Sequence, residues 1–258
     1  TLEAQENLTL ICDEVDELLF ESQSVKGLRT RNGLELSSRS IVITTGTFLN
    51  GRIHLGMKSS PAGRVGEKPS TRLSRSFLDQ GFELGRLKTG TPPRLHCKSI
   101  DFSKCEIQEG DYDPKPFSFS TLKIEQPQVP CYITYTNAQT AEIIRENMHL
   151  SPLYSGCIEG IGPRYCPSIE DKVVKFPDRT SHHVFLEPEG INTDWIYPNG
   201  ISTSLAEDVQ WKLVRTIPGL ESAEIVAPGY AVEYDFVLPT QLFPTLETKK
   251  VKRLFHAG

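Results

Sequence analysis

The sequence predicts a mixed α/β fold from three local patterns. The apolar, β-branched run at 40–45 (SIVITT) predicts a short buried strand, which Gly46 ends. Asn32-Gly33 lies between two alternating runs and predicts a β-hairpin, because Asn-Gly favours a type I′ turn. Apolar residues at helical spacing behind capping residues predict helices at 70–80, at 136–150 and from 204 onward.

Composition is typical of a globular protein that remains in water. The chain has 258 residues, 38% of them hydrophobic, and a mean hydropathy of −0.31. We find no apolar run long enough to span a bilayer and no signal peptide. The six cysteines are scattered without a CxxC pair, which favours a reducing compartment over a zinc site or a disulfide framework.

Charge is unevenly distributed along the chain. Residues 52–104 carry eleven Lys and Arg against four Asp and Glu, a net of +7, whereas the whole chain has a net charge of −5. A segment of this sign can bind phosphate in RNA or in a dinucleotide. The alternative is an ordinary solvated surface.

The elements of the first third follow in order. Leu8–Ile11 is predicted to begin a strand that Cys12–Phe20 continues, and the hairpin and the strand at 40–45 come next. A strand ending in Thr-Gly-Thr is typical of the rim of a dinucleotide-binding sheet. After a glycine- and base-rich loop, Ser70 is predicted to cap a helix that stops at Gly81. The free N–H groups of such a cap can bind an anion, although an ordinary cap explains the pattern equally.

Three basic side chains approach the rigid Pro92-Pro93 turn. Arg86, Lys88 and Arg94 are candidates to hold a phosphate or carboxylate, in tRNA or in a smaller ligand, at fixed geometry. The alternative is a solvated strand with mobile side chains.

The remaining elements are predicted from runs and caps. Strands are expected at 129–135, around Val173-Val174, at 224–227, at 230–237 and at 251–258. Thr136 with Gln139, and Ser204 with Glu207, have the spacing of capping boxes. His182 and His183 would point to opposite faces of a strand, which argues against a shared metal.

The segment Gly162–Phe176 (GPRYCPSIEDKVVKF) is chemically the most unusual. Its first half is predicted to be an irregular loop, since Pro163 and Pro167 restrict the backbone on both sides of Cys166. Arg164 beside this thiol would favour the nucleophilic thiolate. The alternative is a buried structural cysteine.

This segment resembles the signature of the GidA (MnmG) family of tRNA-modifying flavoproteins. Further stretches of the chain are similar to the same family, in the same order: GRLKTGTPPR (Gly85–Arg94), QVPCYITYTN (Gln128–Asn137), FLEPEG (Phe185–Gly190), IYPNGISTSL (Ile196–Leu205) and PGYAVEYDF (Pro228–Phe236). The resemblance covers nearly the whole chain.

The resemblance implies an α/β fold in which an FAD-binding Rossmann-type (glutathione-reductase-like) domain carries an inserted α+β NAD(H)-binding domain. Residues 1–50 would be part of the FAD domain, 51–189 the insertion with its basic loops, and 190–258 the return to the FAD domain. The family's N-terminal GxGxxG unit and C-terminal helical domain are absent from this sequence. We therefore expect an internal fragment that is inactive alone.

The resemblance also implies site residues. Val15 and Ser70 stand where the family contacts FAD, and Cys166 with Arg164 would be catalytic, the thiol acting at the uracil ring. The nicotinamide site would be formed by Gly162, Pro163, Arg164, Tyr165, Cys166, Pro167, Ser168, Ile169, Glu170, Asp171, Lys172, Val173, Val174, Lys175 and Phe176.

The implied activity is modification of the wobble uridine of tRNA. With the GTPase MnmE, such an enzyme installs a (carboxymethyl)aminomethyl-type group at C5, using FAD, NADH and methylenetetrahydrofolate as one-carbon donor. The resemblance also implies a homodimer and a hetero-oligomer with MnmE. The implied location is the bacterial cytoplasm or, alternatively, the mitochondrial matrix. The alternatives are a related folate- and FAD-dependent tRNA (uracil-5-)methyltransferase and, for the fragment, a non-catalytic module that binds tRNA or a partner.

Overall fold

The structure is a computed structural model that describes residues 2–162 and 167–257. Its strands are β1 (Val15–Glu21), β2 (Ser24–Thr30), β3 (Glu35–Ser37), β4 (Ile41–Ile43), β5 (Arg52–Leu55), β6 (Lys58–Pro61), β7 (Leu84–Thr91), β8 (Arg94–His96), β9 (Glu106–Gln108), β10 (Cys131–Tyr135), β11 (His183–Pro188), β12 (Trp195–Asn199), β13 (Ile225–Ala227), β14 (Tyr230–Val237) and β15 (Leu254–His256). Its α-helices are α1 (Thr71–Asp79), α2 (Ala138–Glu146), α3 (Ile169–Lys175) and α4 (Glu207–Val214). The strand orders of the four sheets are β1-β2-β3, β13-β8-β12-β11-β10-β9, β6-β5-β14-β7 and β15-β4.

The chain forms two compact units. The first contains Thr1–Ile53, Ser60–Leu87 and Val232–Gly258, and the second contains His54–Ser59 and Lys88–Ala231. This division differs from the predicted segments, because the second unit extends past residue 190 to Ala231. The assignment of those segments to flavin and nicotinamide domains stays a prediction.

The first unit contains the predicted hairpin, but its turn is not the predicted type I′. β1 and β2 are antiparallel, as are β2 and β3, and Gly33 between β2 and β3 has a φ of 85°. A type I′ turn needs positive φ at both central residues, and Asn32 is not among the residues with positive φ. The Gly33 N–H donates to the Thr30 carbonyl, so the tight turn comes one residue earlier, and Gly33 follows it with a positive φ that glycine adopts without steric cost. The strand predicted at 40–45 is also present, as β4, and it pairs in parallel with β15.

The strand predicted at Leu8–Ile11 is wrong. Residues 8–14 adopt no strand, and the side chains of Leu8, Leu10 and Ile11 are exposed. β1 begins only at Val15. The apolar run had the composition of a strand, but the structure places no neighbouring strand beside it to complete its hydrogen bonds.

Helix α1 begins and ends where the sequence predicts. Ser70 is its N-cap residue, and Gly81 follows its C-cap with a φ of 75°. Leu73 and Phe77 face inward and pack with Leu18, Val25 and Leu254 in the core of this unit. The Ser70 side chain, however, makes no capping hydrogen bond.

The second unit is built on the six-stranded sheet. Its paired strands are antiparallel, with Tyr132 opposite Leu186 and Leu186 opposite Pro198. Four apolar residues at helical spacing in and beside α4 are buried: Leu205, Val209, Leu213 and Ile217. These residues share one hydrophobic core with residues of α2, α3 and the sheet.

Two predicted capping boxes are wrong in detail. Asn137, not Thr136, caps α2: its Oδ1 accepts from the Thr140 N–H, and its backbone N–H donates to the Thr140 hydroxyl. Ala206 is the N-cap residue of α4, while Ser204 instead donates its backbone N–H and its hydroxyl to Glu170. The N-cap lies one residue later than predicted in α2 and two residues later in α4.

The prediction of a strand at Val173-Val174 is also wrong, because these residues lie in α3. Ser168 caps α3, and its hydroxyl and the Asp171 carboxylate form a capping box at about 3.1 Å. This local signal, Ser-x-x-Asp, outweighs the β preference of two adjacent valines.

No helix in the described part of the chain is both long and apolar enough to cross a membrane.

One buried amide ties α4 to a turn. The side chain of Gln210 is fully buried. Its Nε2 donates to the carbonyls of Leu205 (2.8 Å) and Gly229 (2.9 Å), and its Oε1 accepts from the Gly229 N–H (2.7 Å). The turn at Pro228-Gly229 therefore obtains its hydrogen bonds from a helix side chain.

Candidate functional site

The first unit contains a cavity of about 670 Å³ that we call the first-unit cavity. Both residues predicted to contact FAD, Val15 and Ser70, line it. Apolar walls come from Leu18, Leu28, Ile41 and Ile43. The fold therefore brings together two residues that are 55 positions apart in sequence.

The first-unit cavity also has polar lining residues, among them Asp13, Glu14, Glu67, Lys68 and Ser70. Glu14 lines it, and its Oε1 is buried without a hydrogen-bond partner among the described residues, while its Oε2 lies 2.5 Å from Arg31. Ser70 adds a hydroxyl at the N-terminus of α1. Apolar walls with charged and hydroxyl groups among the lining residues are suited to a ligand that combines an apolar ring with polar substituents.

In the second unit, a lysine is buried beneath α3. Lys88 is 1% exposed, and its Nζ lies 3.6 Å from Oδ2 of Asp171. Its backbone N–H also donates to the carbonyl of Ile161. Burial opposes ionisation of Asp171, but the charge of Lys88 and hydrogen bonds from Ser168 outweigh it and lower the pKa of that carboxyl.

Glu170, next to Asp171, is in the opposite electrostatic situation. It is fully buried; its Oε1 accepts from the N–H (3.0 Å) and hydroxyl (3.2 Å) of Ser204, whereas its Oε2 has no partner among the described residues. Burial raises the pKa of Glu170 and outweighs the hydrogen bonds and the charge of Lys88 that favour its ionised form. The pKa values of two adjacent carboxyls on α3 are therefore shifted in opposite directions, raised for Glu170 and lowered for Asp171.

Tyr154 completes this cluster. Its hydroxyl donates to Oδ1 of Asp171 at 3.3 Å. Loss of hydration, together with the carboxylate of Asp171, raises the pKa of Tyr154 to about 12. The phenol therefore keeps its proton at neutral pH and acts as a hydrogen-bond donor.

The candidate anion-binding residues Arg86, Lys88 and Arg94 all have partners within the chain. Arg86 contacts Asp235 (2.8 Å), Glu233 (3.2 Å) and the carbonyl of Asn50. Arg94 pairs with Glu189 and lies 4.4 Å from the ring centroid of Tyr197. An external anion would have to compete with these partners, and the anion and tRNA roles of the three residues stay predictions.

A second cavity, of about 600 Å³, lies beside the C-terminal end of α3, and we call it the second-unit cavity. Lys172, Phe176, Arg179 and His182 are among its lining residues. Nε2 of His182 is buried without a hydrogen-bond partner among the described residues. His182 and His183 belong to no group of three or more potential metal ligands in the described parts of the chain.

The catalytic candidates Arg164 and Cys166 lie outside the described residues, as do Pro163 and Tyr165. The rest of the predicted nicotinamide segment forms the entry to α3 and the helix itself. The cluster of Lys88, Tyr154, Glu170 and Asp171 was not predicted as a unit. The Ser-x-x-Asp cap could have placed α3, but no local signal reveals that Lys88 lies beneath it.

The family model described as glucose inhibited division protein A matches residues 1–258. A relative from Thermodesulfovibrio yellowstonii, named tRNA uridine 5-carboxymethylaminomethyl modification enzyme MnmG, is 59% identical over 257 residues, 100% of this chain and 41% of the relative. A relative of the same name from Syntrophotalea carbinolica is 56% identical over 257 residues, 100% of this chain and 42% of its own length.

A solved structure agrees with these relatives. Aquifex aeolicus GidA is 53% identical, with a TM-score of 0.91, over 100% of this chain and 44% of that chain. This agreement confirms the predicted mixed α/β class, and the family match confirms the resemblance inferred from the motifs. The chain spans less than half the length of the curated relatives it matches. The chain belongs to the family described as glucose inhibited division protein A.

Proposed function

We propose that the full-length protein carrying this chain is an FAD- and NADH-dependent enzyme that modifies the wobble uridine of tRNA. The product would be a (carboxymethyl)aminomethyl-type group at C5 of the uracil ring. The observation that carries this proposal is the match of the whole chain to one family, whose relatives are named for the tRNA uridine modification. The relatives are bacterial, which supports a bacterial cytoplasmic location as part of the proposal.

The first-unit cavity supports the flavin part of the proposal. Its residues fit an adenine nucleotide portion of FAD: apolar walls for a ring, the open Oε1 of Glu14 for a hydroxyl, and Val15 and Ser70 at its edge. The bound flavin would supply redox chemistry. The chain's own residues would bind and orient it, and the apolar walls would exclude water.

NADH, methylenetetrahydrofolate and the GTPase MnmE complete the proposal. In it, NADH would supply the reducing equivalents, methylenetetrahydrofolate would supply the one-carbon unit, and homodimers of the enzyme would assemble with MnmE. The segment 162–176 would contact the nicotinamide dinucleotide, with Cys166 acting at the uracil ring and Arg164 favouring its thiolate. Asp171 and Lys88 support this by anchoring the described part of the segment to a buried ion pair.

The experiment that tests the proposal uses the full-length protein carrying this chain. The absorbance spectrum of the purified protein is recorded, then NADH is added anaerobically. We expect a flavin spectrum that bleaches. If the protein contains no flavin and takes up none when FAD is supplied, the proposal that it is a flavoenzyme is refuted.

The modified nucleoside identifies the reaction. Mass spectrometry of tRNA from cells that depend on this protein should show the aminomethyl-type group. A plain 5-methyl group would instead indicate the methyltransferase alternative. In the same assay, Cys166→Ser should abolish modification while flavin binding persists, because the hydroxyl is a far weaker nucleophile than a thiolate. Unchanged modification in this variant would exclude Cys166 as the nucleophile.

A further inference from the structure

The six-stranded sheet of the second unit has two different faces. Along β8, β11 and β12, buried residues alternate with half-buried or exposed ones. The buried set packs in one core with residues of α2, α3 and α4. We call the side of the sheet that carries the other set the outer sheet face. Its rings and guanidinium include Arg94, Tyr135, His183, Phe185, Trp195 and Tyr197.

Aromatic rings on the outer sheet face extend across three neighbouring strands. Tyr135 of β10 is opposite His183 of β11, and their ring centroids lie 4.9 Å apart. The centroids of His183 and Phe185 lie 6.0 Å apart, and β12, next to β11, adds Trp195 and Tyr197. Tyr135 is 38% exposed and Trp195 is 42% exposed. Exposed rings on adjacent strands are the surface on which sheet-based RNA modules stack unpaired bases.

Arg94 extends this surface onto β8 with a guanidinium that is held in one orientation. Its Cζ lies 4.4 Å from the centroid of the Tyr197 ring. Its Nη1 donates to the hydroxyl of Thr91 and to the carbonyl of Pro92, each at 2.7 Å, and its Nε donates to Glu189. These partners compete with a phosphate for the N–H groups, whereas the flat side of a guanidinium can stack on a base.

Polar groups beside the rings are also suited to bases. Glu187 is opposite Tyr197, and Nδ2 of Asn199 donates to Oε1 of Glu187 at 3.0 Å. A carboxylate and an amide can exchange hydrogen bonds with the edge of a base. Because the carboxylates of Glu106, Glu187 and Glu189 lie on or beside this face, its charge does not favour phosphate.

We propose that the outer sheet face binds unpaired bases of an RNA strand, which stack on Tyr135, Trp195 and Arg94. The inference rests on the proposed function in one respect, that tRNA is the substrate, and it adds a surface for the unpaired bases of that substrate. None of these three residues belongs to the segment 162–176 or lines the second-unit cavity, although His183 and Phe185 do line that cavity.

A heteroaromatic base could also come from a dinucleotide. NADH carries a single adenine, whereas the outer sheet face offers stacking groups on four neighbouring strands, β8, β12, β11 and β10. Rings on adjacent strands can receive successive bases, because neighbouring strands lie about 4.8 Å apart. This extent favours an RNA strand.

The test measures binding of a tRNA anticodon stem-loop to the full-length protein carrying this chain, by fluorescence anisotropy without NADH or folate. The stem-loop should bind more tightly than a fully paired RNA of the same length. Trp195→Ala and Tyr135→Ala should each weaken binding of the stem-loop about tenfold, because a stacking partner is lost. Neither should change the dependence of log K on log salt, because no charge is removed. Trp195→Phe keeps a ring and should keep most of the affinity.

Arg94→Lys separates stacking from charge. Lysine keeps the positive charge but has no planar group, so this variant should lose about as much affinity as Arg94→Ala. Wild-type affinity of Arg94→Lys would show a contact with phosphate and overturn stacking on this residue. The matched control is Phe243→Ala, because Phe243 is 47% exposed and lies in the first unit. Equal losses for the Phe243 and Trp195 variants would overturn the proposal.

Other occupants of the face give different results. If Trp195→Ala and Tyr135→Ala dissociate an oligomer in sedimentation without RNA, a second copy covers the face and the proposal is overturned. Saturating NADH should not displace the stem-loop. Displacement, together with weaker NADH binding by the two variants, would assign the rings to the dinucleotide.

The two proposals of this article fail separately. A wild-type protein that binds the stem-loop but takes up no flavin would refute only the flavoenzyme. A flavin-containing protein whose Trp195 and Tyr135 variants bind the stem-loop as the wild type does would refute only the outer sheet face.

Discussion

Replacing Lys88 by methionine removes the ammonium from beneath α3 and leaves an apolar stem of similar length. Lys88 is 1% exposed and its Nζ is 3.6 Å from Asp171, whose side chain is 14% exposed. Removing one partner of a buried ion pair typically costs about 3–5 kcal/mol, because the other charge stays in a poorly hydrated place.

The expected cost is smaller here because Asp171 keeps other partners. Ser168 donates to Asp171 Oδ2 through its backbone N–H and its hydroxyl, each at 3.1 Å, and Nζ of Lys175 lies 3.7 Å from Oδ1. We therefore expect a loss of about 2–3 kcal/mol in the free energy of unfolding. With a urea m-value of about 2 kcal/mol/M, the unfolding midpoint should fall by about 1–1.5 M.

The assay is urea unfolding followed by tryptophan fluorescence. Both tryptophans, Trp195 and Trp211, lie in the second unit, so their signal reports on the unit that contains Lys88. The matched control is Lys212→Met. Lys212 lies 3.5 Å from Asp208, but both side chains are more than half exposed, and its loss should cost less than about 0.5 kcal/mol.

Two outcomes would refute the reasoning. Equal midpoint shifts for the Lys88 and Lys212 variants would show that burial adds nothing to the Lys88 pair. A double variant, Lys88→Met with Asp171→Asn, should recover part of the loss because no unpaired charge remains. A double variant that is as unstable as the sum of the two single variants would show that the two groups do not interact.

Three further predictions concern other buried or partly buried ionisable groups. Glu170→Gln should remove a pH dependence of the free energy of unfolding. The pKa of Glu170 is raised in the folded protein, so its stabilising effect is complete below the pKa of the unfolded chain and is lost as pH rises through the folded pKa. The urea midpoint of the wild type, relative to that of the variant, should therefore fall from about pH 4.5 upward. Burial lowers the pKa of His256 to about 4, so its ring should titrate near that value by NMR. Because its folded pKa is lowered, the free energy of unfolding should decrease as pH falls from about 6.5 to about 4. A titration midpoint near 6.5 would show instead that the ring is hydrated. Arg86→Met should cost about 3–5 kcal/mol in urea unfolding followed by far-UV circular dichroism, because Glu233 and Asp235 are nearly buried, whereas Arg75→Met, on an exposed pair with Asp79, should cost less than about 0.5 kcal/mol; equal costs would contradict the prediction.

Local signals in the sequence predicted what local interactions decide. The turn at Asn32-Gly33 and the end of α1 at Gly81 both depend on a positive φ that the sequence itself specifies. β14 spans the predicted residues 230–237, although its burial does not alternate throughout, since Ala231, Val232 and Glu233 are all buried. The prediction at Leu8–Ile11 failed because a strand needs a neighbour, and composition does not reveal one.

The candidate site was harder to predict because its contacts are distant in sequence. Lys88 and Asp171 are 83 positions apart, and each alone has the appearance of an ordinary surface charge. Motif resemblance located the segment 162–176, but it could not show that Glu170 turns inward to Ser204 while Asp171 meets Lys88. Burial of this kind is a property of the assembled fold.

The amide of Gln210 means that the geometry of one turn is specified nineteen residues earlier in the chain. Glutamate at this position would offer no donor to the carbonyls of Leu205 and Gly229, and methionine would offer neither donor nor acceptor. Helix α4 consequently cannot rotate by one residue, or slide by one turn, without depriving the turn of both its bonds to Gln210. The side chain of Gln210 therefore fixes a single alignment of α4 with the turn at Pro228-Gly229.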